Sequence, residues 1–292
     1  MVVKVLQGAA ALLAVLLILA VVTVLVATAG WRRATAEALL ALEAGAEARA
    51  ALDPVDTATV PPVVARYLAR AIPPGAQPIR LTVLEQEGTF QMGEGDAGWR
   101  PFIATQHVRA YPPGFLWDAR IAMALLVPVR VRDGYLDGRG TMKGAVWSTL
   151  VMVDAQPTRE LAEGALYRYL AEAAWMPTRL LPGEGLAWRA VDESTAEATL
   201  RDGDLAVSVL FRFDAQGDIV GIHVPRRGRE VDGASVPTPW TGRFWSHQDV
   251  DGFRIPMEGE VAWVVDGVEV PYWRGRVSGA RFDGAGGPPD SR

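Results

Sequence analysis

The sequence has no cysteine. That excludes disulfides, thiolate nucleophiles, cysteine-based zinc and iron–sulfur sites, and the lipidated cysteine that anchors bacterial lipoproteins. It leaves an extracytoplasmic location open, since a chain of 292 residues can hold itself together with its own core. Histidine is scarce: His107, His223 and His247 lie far apart without H-x-x-x-H spacing, so no histidine metal site is expected. Lysine occurs only as Lys4 and Lys143, and the other 27 of the 29 basic residues are arginine, as GC-rich codon usage would produce. A basic excess is also missing, with 34 acidic residues against 29 basic and a pI near 5.4. The longest basic run is Pro225-Arg226-Arg227-Gly228-Arg229. Counterion release from nucleic acid needs clustered cations, so no nucleic-acid partner is expected.

Charge is missing altogether from Val5 to Trp31, where 22 of 27 side chains are apolar. A stretch of that length spans a bilayer core of about 30 Å as a helix. Ala27-Thr28-Ala29 before Gly30 would pass as a signal cleavage site, but the apolar run is longer than a usual signal core and Arg32-Arg33 closes it at the far interface. Residues 1–31 are therefore read as an uncleaved transmembrane anchor. Lys4 and the amino terminus balance Arg32 and Arg33, so the flanking charges assign no orientation. A polytopic membrane protein is excluded, because the hydropathy of the remainder is that of a water-soluble body.

Residues 32–62 follow as a juxtamembrane helix and a proline-containing linker. Ala34 to Ala50 is rich in Ala, Leu and Glu without proline, and DPVDTATVPP then breaks the helix. Pro61-Pro62 opens a short helix from Val63 to Arg70. From Ile79 the spacing turns to short β runs broken by Gly, Asp and Pro. The runs are Ile79–Phe90, Trp99–Val108, Phe115–Ala124, Val127–Leu136, Arg139–Trp147 and Thr149–Val153, with Asp137-Gly138 a hairpin signal. A helix interrupts them after Thr158, with Ala162, Ala165, Leu166, Tyr169, Leu170 and Ala173 on one stripe, and ends at Trp175-Met176-Pro177. The β pattern resumes at Leu186–Val191, Ala196–Arg201, Leu205–Phe213 and Ile219–Arg226, then around Thr241–Gln248, Glu258–Val265 and Val268–Phe282. Residues 63–283 are read as one β-rich globular domain and 284–292 as a disordered tail.

These elements predict a mainly β (α+β) protein: a large curved antiparallel sheet with helices packed on one face, preceded by one N-terminal transmembrane helix. Ten tryptophans outnumber eight phenylalanines and six tyrosines, and nine of the tryptophans follow Trp31. Large rigid rings either fill a wide core or wall a ligand cavity.

No catalytic set assembles. Gly93-Glu94-Gly95-Asp96-Ala97-Gly98 spells a dinucleotide motif, but it sits between strands with carboxylates that would repel a pyrophosphate. There is no G-x-S-x-G elbow. Lys143 and Ser148 are an odd number of residues apart on one β run, hence on opposite faces. Asp249-Val250-Asp251-Gly252 starts like a calcium loop and fails at Phe253, and reads as a turn. Glu85/Glu87 and Glu258/Glu260 share strand faces, an arrangement open to paired acid–base work but commoner on solvated surfaces. Glu172 stands near the apolar stripe of its helix, either pairing with an arginine or acting as a buried acid.

Several strings occur in a familiar order: Gln106-His107-Val108, Pro112-Pro113-Gly114-Phe115-Leu116-Trp117-Asp118-Ala119, and Asp137-Gly138-Arg139-Gly140-Thr141-Met142. They continue with Arg168-Tyr169-Leu170-Ala171-Glu172-Ala173-Ala174-Trp175-Met176-Pro177-Thr178, Pro239-Trp240-Thr241-Gly242-Arg243-Phe244 and Pro271-Tyr272-Trp273-Arg274-Gly275-Arg276. Over Pro61 to Phe282 they resemble the bacterial domain-of-unknown-function family DUF6544, formerly DUF6920. That resemblance implies no established activity, catalytic residue or cofactor. The order of strands and helix resembles, in architecture only, the LolA-like and LppX-like carriers of lipoproteins and lipids, which implies an unclosed barrel with a helical lid.

The sequence thus reads as a non-enzymatic, membrane-anchored envelope protein with an extracytoplasmic domain that binds a lipid or other apolar molecule. Phe115, Trp117, Tyr169, Glu172 and Trp175 are the candidate cavity walls, and no cofactor or metal is expected. The alternatives are an envelope scaffold with a filled core, or a carboxylate-dependent hydrolase.

Overall fold

The structure, a computed structural model, describes residues 2–47, 59–93, 95–183 and 185–283. The tail 284–292 and most of the expected linker lie outside the described residues. The chain begins with α1 (Val2–Ala44), a 43-residue helix that is long and apolar enough to cross a membrane, with mean hydropathy 3.1 over its most apolar window. None of that window is buried, whereas Trp31, Thr35 and Leu42 further along are. α2 (Pro62–Ala71) starts on proline, whose fixed φ suits the first turn, and buries Val63, Val64, Tyr67 and Leu68.

Thirteen strands follow: β1 (Leu81–Gln91), β2 (Trp99–Arg109), β3 (Gly114–Ala124), β4 (Val127–Leu136), β5 (Arg139–Val146), β6 (Leu150–Asp154), β7 (Leu186–Ala190), β8 (Thr195–Asp202), β9 (Leu205–Phe213), β10 (Ile219–Val231), β11 (Ala234–Val250), β12 (Phe253–Val265) and β13 (Val268–Asp283). α3 (Arg159–Ala171) separates β6 from β7. All thirteen belong to one antiparallel sheet in the order β6-β5-β4-β3-β2-β1-β13-β12-β11-β10-β9-β8-β7. The two end strands of that order, β6 and β7, do not pair with each other, so the barrel is not closed. α3 packs on β4 and β5 from one side and on β9 and β10 from the other, and so occupies the seam between the two halves.

The core lies inside this curve. Alternation puts Phe115, Trp117, Ala119 and Ile121 of β3, and Leu205, Val207, Val209, Phe211 and Phe213 of β9, on the inner face. Taking each large side chain out of water contributes roughly 1.5–3 kcal/mol. α2 and the turns Glu172–Trp175 and Pro177–Leu180 cover one end, where Asp218 ties Arg70 of α2 to Arg254 of β12. Burial would raise that carboxyl, but its hydrogen bonds from Arg254 and Arg70 hold it below the usual carboxylate range.

α1 lies on the outer face, across β2 to β4. Trp31 Nε1 donates to Asp118 Oδ1 at 3.1 Å, and Arg132 stacks on the Trp31 ring at 5.1 Å while donating to Thr35 Oγ1 at 3.2 Å. Gly45 lies against the guanidinium of Arg109 and Leu42 packs beside it at Gly114; Arg109 is 1% exposed and bonded to Asp137 at 2.9 Å. The helix is therefore continuous through Trp31, with an exposed apolar half and a half docked on the sheet.

Candidate functional site

Thr158 caps α3, its hydroxyl accepting from Leu161 N at 3.2 Å. The helix comes so close to β5 that a side chain at Gly140 would stand 2.6 Å from the Leu161 carbonyl. Seated there, α3 directs Arg168 and Glu172 toward the interior. A cavity of about 230 Å³ lies between them and the sheet, walled by Phe90, Trp117, Trp175, Trp240, Trp263, Tyr272 and Trp273 among others. At about 30 Å³ per water that is roughly seven or eight water volumes, and an apolar cavity of ~150 Å³ already accepts a benzene ring. Two larger grooves, at the start of α3 and on the outer face of β1 to β4, carry several charged side chains and are more open to solvent.

A chain of polar groups crosses the cavity wall. Trp117 Nε1 donates to Gln86 Oε1 at 2.9 Å, Gln86 Nε2 to Gln106 Oε1 at 3.1 Å, and Gln106 Nε2 to Glu172 Oε2 at 2.6 Å. Arg168 donates to Glu172 Oε1 and to Asp133 Oδ2, each at 2.6 Å, and lies over the Phe115 and Trp117 rings at 5.0 and 5.2 Å. Burial alone would lower the Arg168 pKa; Glu172 and Asp133 outweigh it and hold the guanidinium above its ordinary value. Both carboxylates are engaged by this cation, which suits a fixed wall better than proton transfer.

The five residues singled out from the sequence divide. Trp117, Glu172 and Trp175 line the cavity, and Trp175 makes edge contacts with Phe244 and Trp273 at 5.7 and 6.2 Å. Phe115 and Tyr169 line instead a void of about 10 Å³ beside Thr82 and Gln106, one water volume at most. Tyr169 is an anchor: its hydroxyl accepts from Arg179 Nε at 3.0 Å and donates to the Ala110 carbonyl at 2.8 Å. Glu85 and Glu87 lie on the surface against Arg281 and Arg276, whereas Glu260, only 15% exposed, lines the cavity while paired with Arg243 and Arg274.

The residue that periodicity missed is Arg227. Ile222 and Val224 of β10 face inward, and strict alternation would then turn Arg226 in and Arg227 out. The ladder between β10 and β11 instead slips by one residue, with Val224 opposite Trp240 and Arg227 opposite Thr238. This bulge at Pro225-Arg226 flips the phase and brings Arg227 to the cavity. There its guanidinium lies 4.3 Å from the Trp240 ring centre and 5.3 Å from that of Trp263. It donates to the Gly164 carbonyl of α3 at 2.9 Å and approaches the Tyr272 hydroxyl at 3.5 Å, while Nε has no partner. Among the described residues no carboxylate pairs with it. The only signal for it in the sequence is Pro225, which interrupts a strand ladder, within a run that otherwise reads as a solvated basic patch.

Comparison with solved structures finds two distant neighbours. One is a domain of an outer membrane lipoprotein-sorting protein from Vibrio parahaemolyticus, 9% identical with TM-score 0.34, the overlap covering 72% of this chain and 88% of that one. The other is a LolA superfamily protein from Nitrosomonas europaea, 10% identical with TM-score 0.33, covering 79% and 94%. Overlaps this loose carry no conclusion about this chain's ligand. Among curated proteins nothing matches. The profile of a family of unknown function, DUF6920, matches residues 58–282, from just before α2 almost to the end of β13, and the chain belongs to that family.

Proposed function

We propose that this is a membrane-anchored binding protein whose cavity takes the apolar or aromatic end of a small amphipathic acid, with the acid group on Arg227. α1 serves as an uncleaved anchor, and residues 63–283 form the binding domain on the extracytoplasmic side. The observation that carries the reading is Arg227 itself: a guanidinium fixed between two tryptophans at an aromatic cavity, with no carboxylate partner among the described residues. Arginine's planar fork matches carboxylate and phosphate oxygens, and the surrounding rings supply the apolar wall. Trp117, Glu172 and Trp175 are walls of the same site. A volume near 230 Å³ fits a ring or a short acyl segment, not a whole phospholipid. A cavity of several water volumes argues against a scaffold with a filled core, and the Arg168-bound carboxylates give no support to a hydrolase.

The test is a tryptophan-fluorescence titration of the full chain in lipid nanodiscs with octanoate and with octanol. A charge-assisted hydrogen bond contributes about 1.5–3 kcal/mol, so the acid should bind at least about tenfold tighter than the alcohol, and Arg227→Gln should abolish that difference. Equal, weak binding of both compounds by the unaltered protein sinks the proposal.

A further inference from the structure

Four hairpins of this sheet are closed by the same two residues: Asp137-Gly138, Asp232-Gly233, Asp251-Gly252 and Asp266-Gly267. Their aspartates have φ of 50–51° and their glycines 77–85°. Asp-Gly is the water-facing solution to a turn that needs positive φ at both central positions. The two hairpins beside α1 depart from this rule. The β3–β4 turn is Leu125-Leu126, with Leu126 at φ 64°, and the β5–β6 turn is Trp147-Ser148-Thr149, with Trp147 at 47° and Ser148 at 60°. Large apolar side chains are uncommon in that backbone region. The leucines gain no packing in return, since Leu125 is 90% and Leu126 81% exposed, and Leu150 and Met152 beyond the second turn are also exposed. Trp147 Nε1 donates to the Leu126 carbonyl at 2.7 Å, so the two tips form one apolar patch.

α1 fixes where this patch lies. Thr28, at the end of the uncharged run, has its hydroxyl 3.4 Å from that of Ser148 in the second tip. One turn further on, Trp31 meets Asp118. The tips thus stand level with the point where the apolar helix gives way to Arg32-Arg33. Arginines gather at the same level. Arg120 of β3 and Arg130 of β4 are direct cross-strand partners, an unfavourable pairing of like charges. Arg32 adds to the positive field at Arg130, and Asp118 is the carboxylate that offsets it. No ion pair involves Arg32, Arg120 or Arg130 among the described residues.

We infer that the Leu125-Leu126 and Trp147-Ser148 tips insert into the bilayer interface next to α1, with Arg32, Arg120 and Arg130 facing anionic lipid headgroups. This gives the domain a second membrane attachment and rests on the reading of α1 as a membrane span. Apolar side chains, an interfacial tryptophan and an arginine belt at one depth are what a lipid surface selects.

The absence of native cysteine makes the test direct. Leu125→Cys, Leu150→Cys, Leu16→Cys in α1 and Asp266→Cys in a water-facing hairpin each receive an environment-sensitive fluorophore. The full chain is reconstituted in phosphatidylcholine vesicles containing phosphatidylglycerol. The probes at 125 and 150 should emit to the blue of the probe at 266, lose quenching by aqueous iodide and gain quenching by lipid-borne spin labels. Iodide-accessible probes at 125 and 150 beside a lipid-quenched probe at 16 overturn the inference and leave the anchor reading intact. An iodide-accessible probe at 16 overturns both. Shielding from iodide without quenching by spin-labelled lipid overturns the inference in favour of a protein contact at the tips.

Discussion

Arg168 and Arg227 do different work although both line one cavity. Arg168 is tied to Asp133 and Glu172 and is only 16% exposed, with its partners 14% and 20% exposed. Removing one member of such a set strands the others away from water, which costs about 3 kcal/mol at the lower end of the range for buried pairs. Arg168→Met should lower the urea-derived stability by about that amount. Adding Asp133→Leu and Glu172→Leu should restore most of it, because replacing every charged member removes the stranded charges. A single variant as stable as the parent would show that Arg168, Asp133 and Glu172 do not depend on one another for their place in the interior. Arg227 holds no carboxylate, so its loss should fall chiefly on ligand affinity, with a stability cost of about 1 kcal/mol from its stacking on Trp240 and Trp263 and its bond to the Gly164 carbonyl. Only one of these two roles was legible in the sequence. Glu172 stood out because it borders an apolar helical stripe, with an arginine as one expected partner. The spacing of α3 turns Arg168 outward with Arg159 and Glu163, whereas its pairing with Glu172 and Asp133 holds it at the cavity, 16% exposed. Arg227 was hidden because its inward turn depends on a bulge, which is a property of the pairing between two strands.

At the level of elements, the strand pattern was largely readable because alternation is a local signal. Leu205–Phe213 and Val127–Leu136 have the same limits in sequence and structure. β11 is longer than the run around Thr241–Gln248: it extends over 17 residues through Pro237 and Pro239, and proline argues against a strand wherever the ladder needs its N–H. The docked half of α1 was not legible either, since an Ala- and Glu-rich helix shows no broad apolar stripe and its contacts are three well-spaced side chains, Trp31, Thr35 and Leu42. The seat of α3 was legible only in retrospect, through a glycine whose missing side chain admits helix backbone. Gly140→Ala should push α3 from β5 at a cost of about 1–3 kcal/mol, as overpacking does. Hydrogen exchange is the discriminating measurement. The amides of Arg159–Ala171 should exchange faster, while those of β8 and β9, paired with each other over eight residue pairs, should stay as protected as in the parent. Unchanged protection of α3 would mean the helix can shift without loosening the lid.

For the molecule as a whole, pH is the variable that reports on the outer shell of the sheet. His107, His223 and His247 lie on three different strands, and all are held below the ordinary imidazole value, chiefly by burial. Glu43 and Glu85 push His107 back up, as Asp218 does for His247, but burial prevails; at His223 burial acts alone. A depressed imidazole is protonated more readily in the unfolded chain, whose value is about 6.5. As pH falls through that value the unfolded state binds protons that the folded state refuses, so ν_U exceeds ν_N and stability falls. The stabilisation is fully present above pH ~6.5 and is lost on descent toward the folded values. Asp218 has the same sign at lower pH: its contribution is present above the unfolded carboxylate value of about 3.9 and is lost as pH falls through its depressed folded value. The urea midpoint should therefore decline between pH 7 and 5 and fall again below about pH 4. His223→Gln keeps a neutral polar side chain that cannot titrate, so it should flatten the first decline by one histidine's share and leave the second unchanged. A midpoint constant from pH 8 to 5 in the unaltered protein would show that the three imidazoles are solvated as freely in the folded sheet as in the unfolded chain.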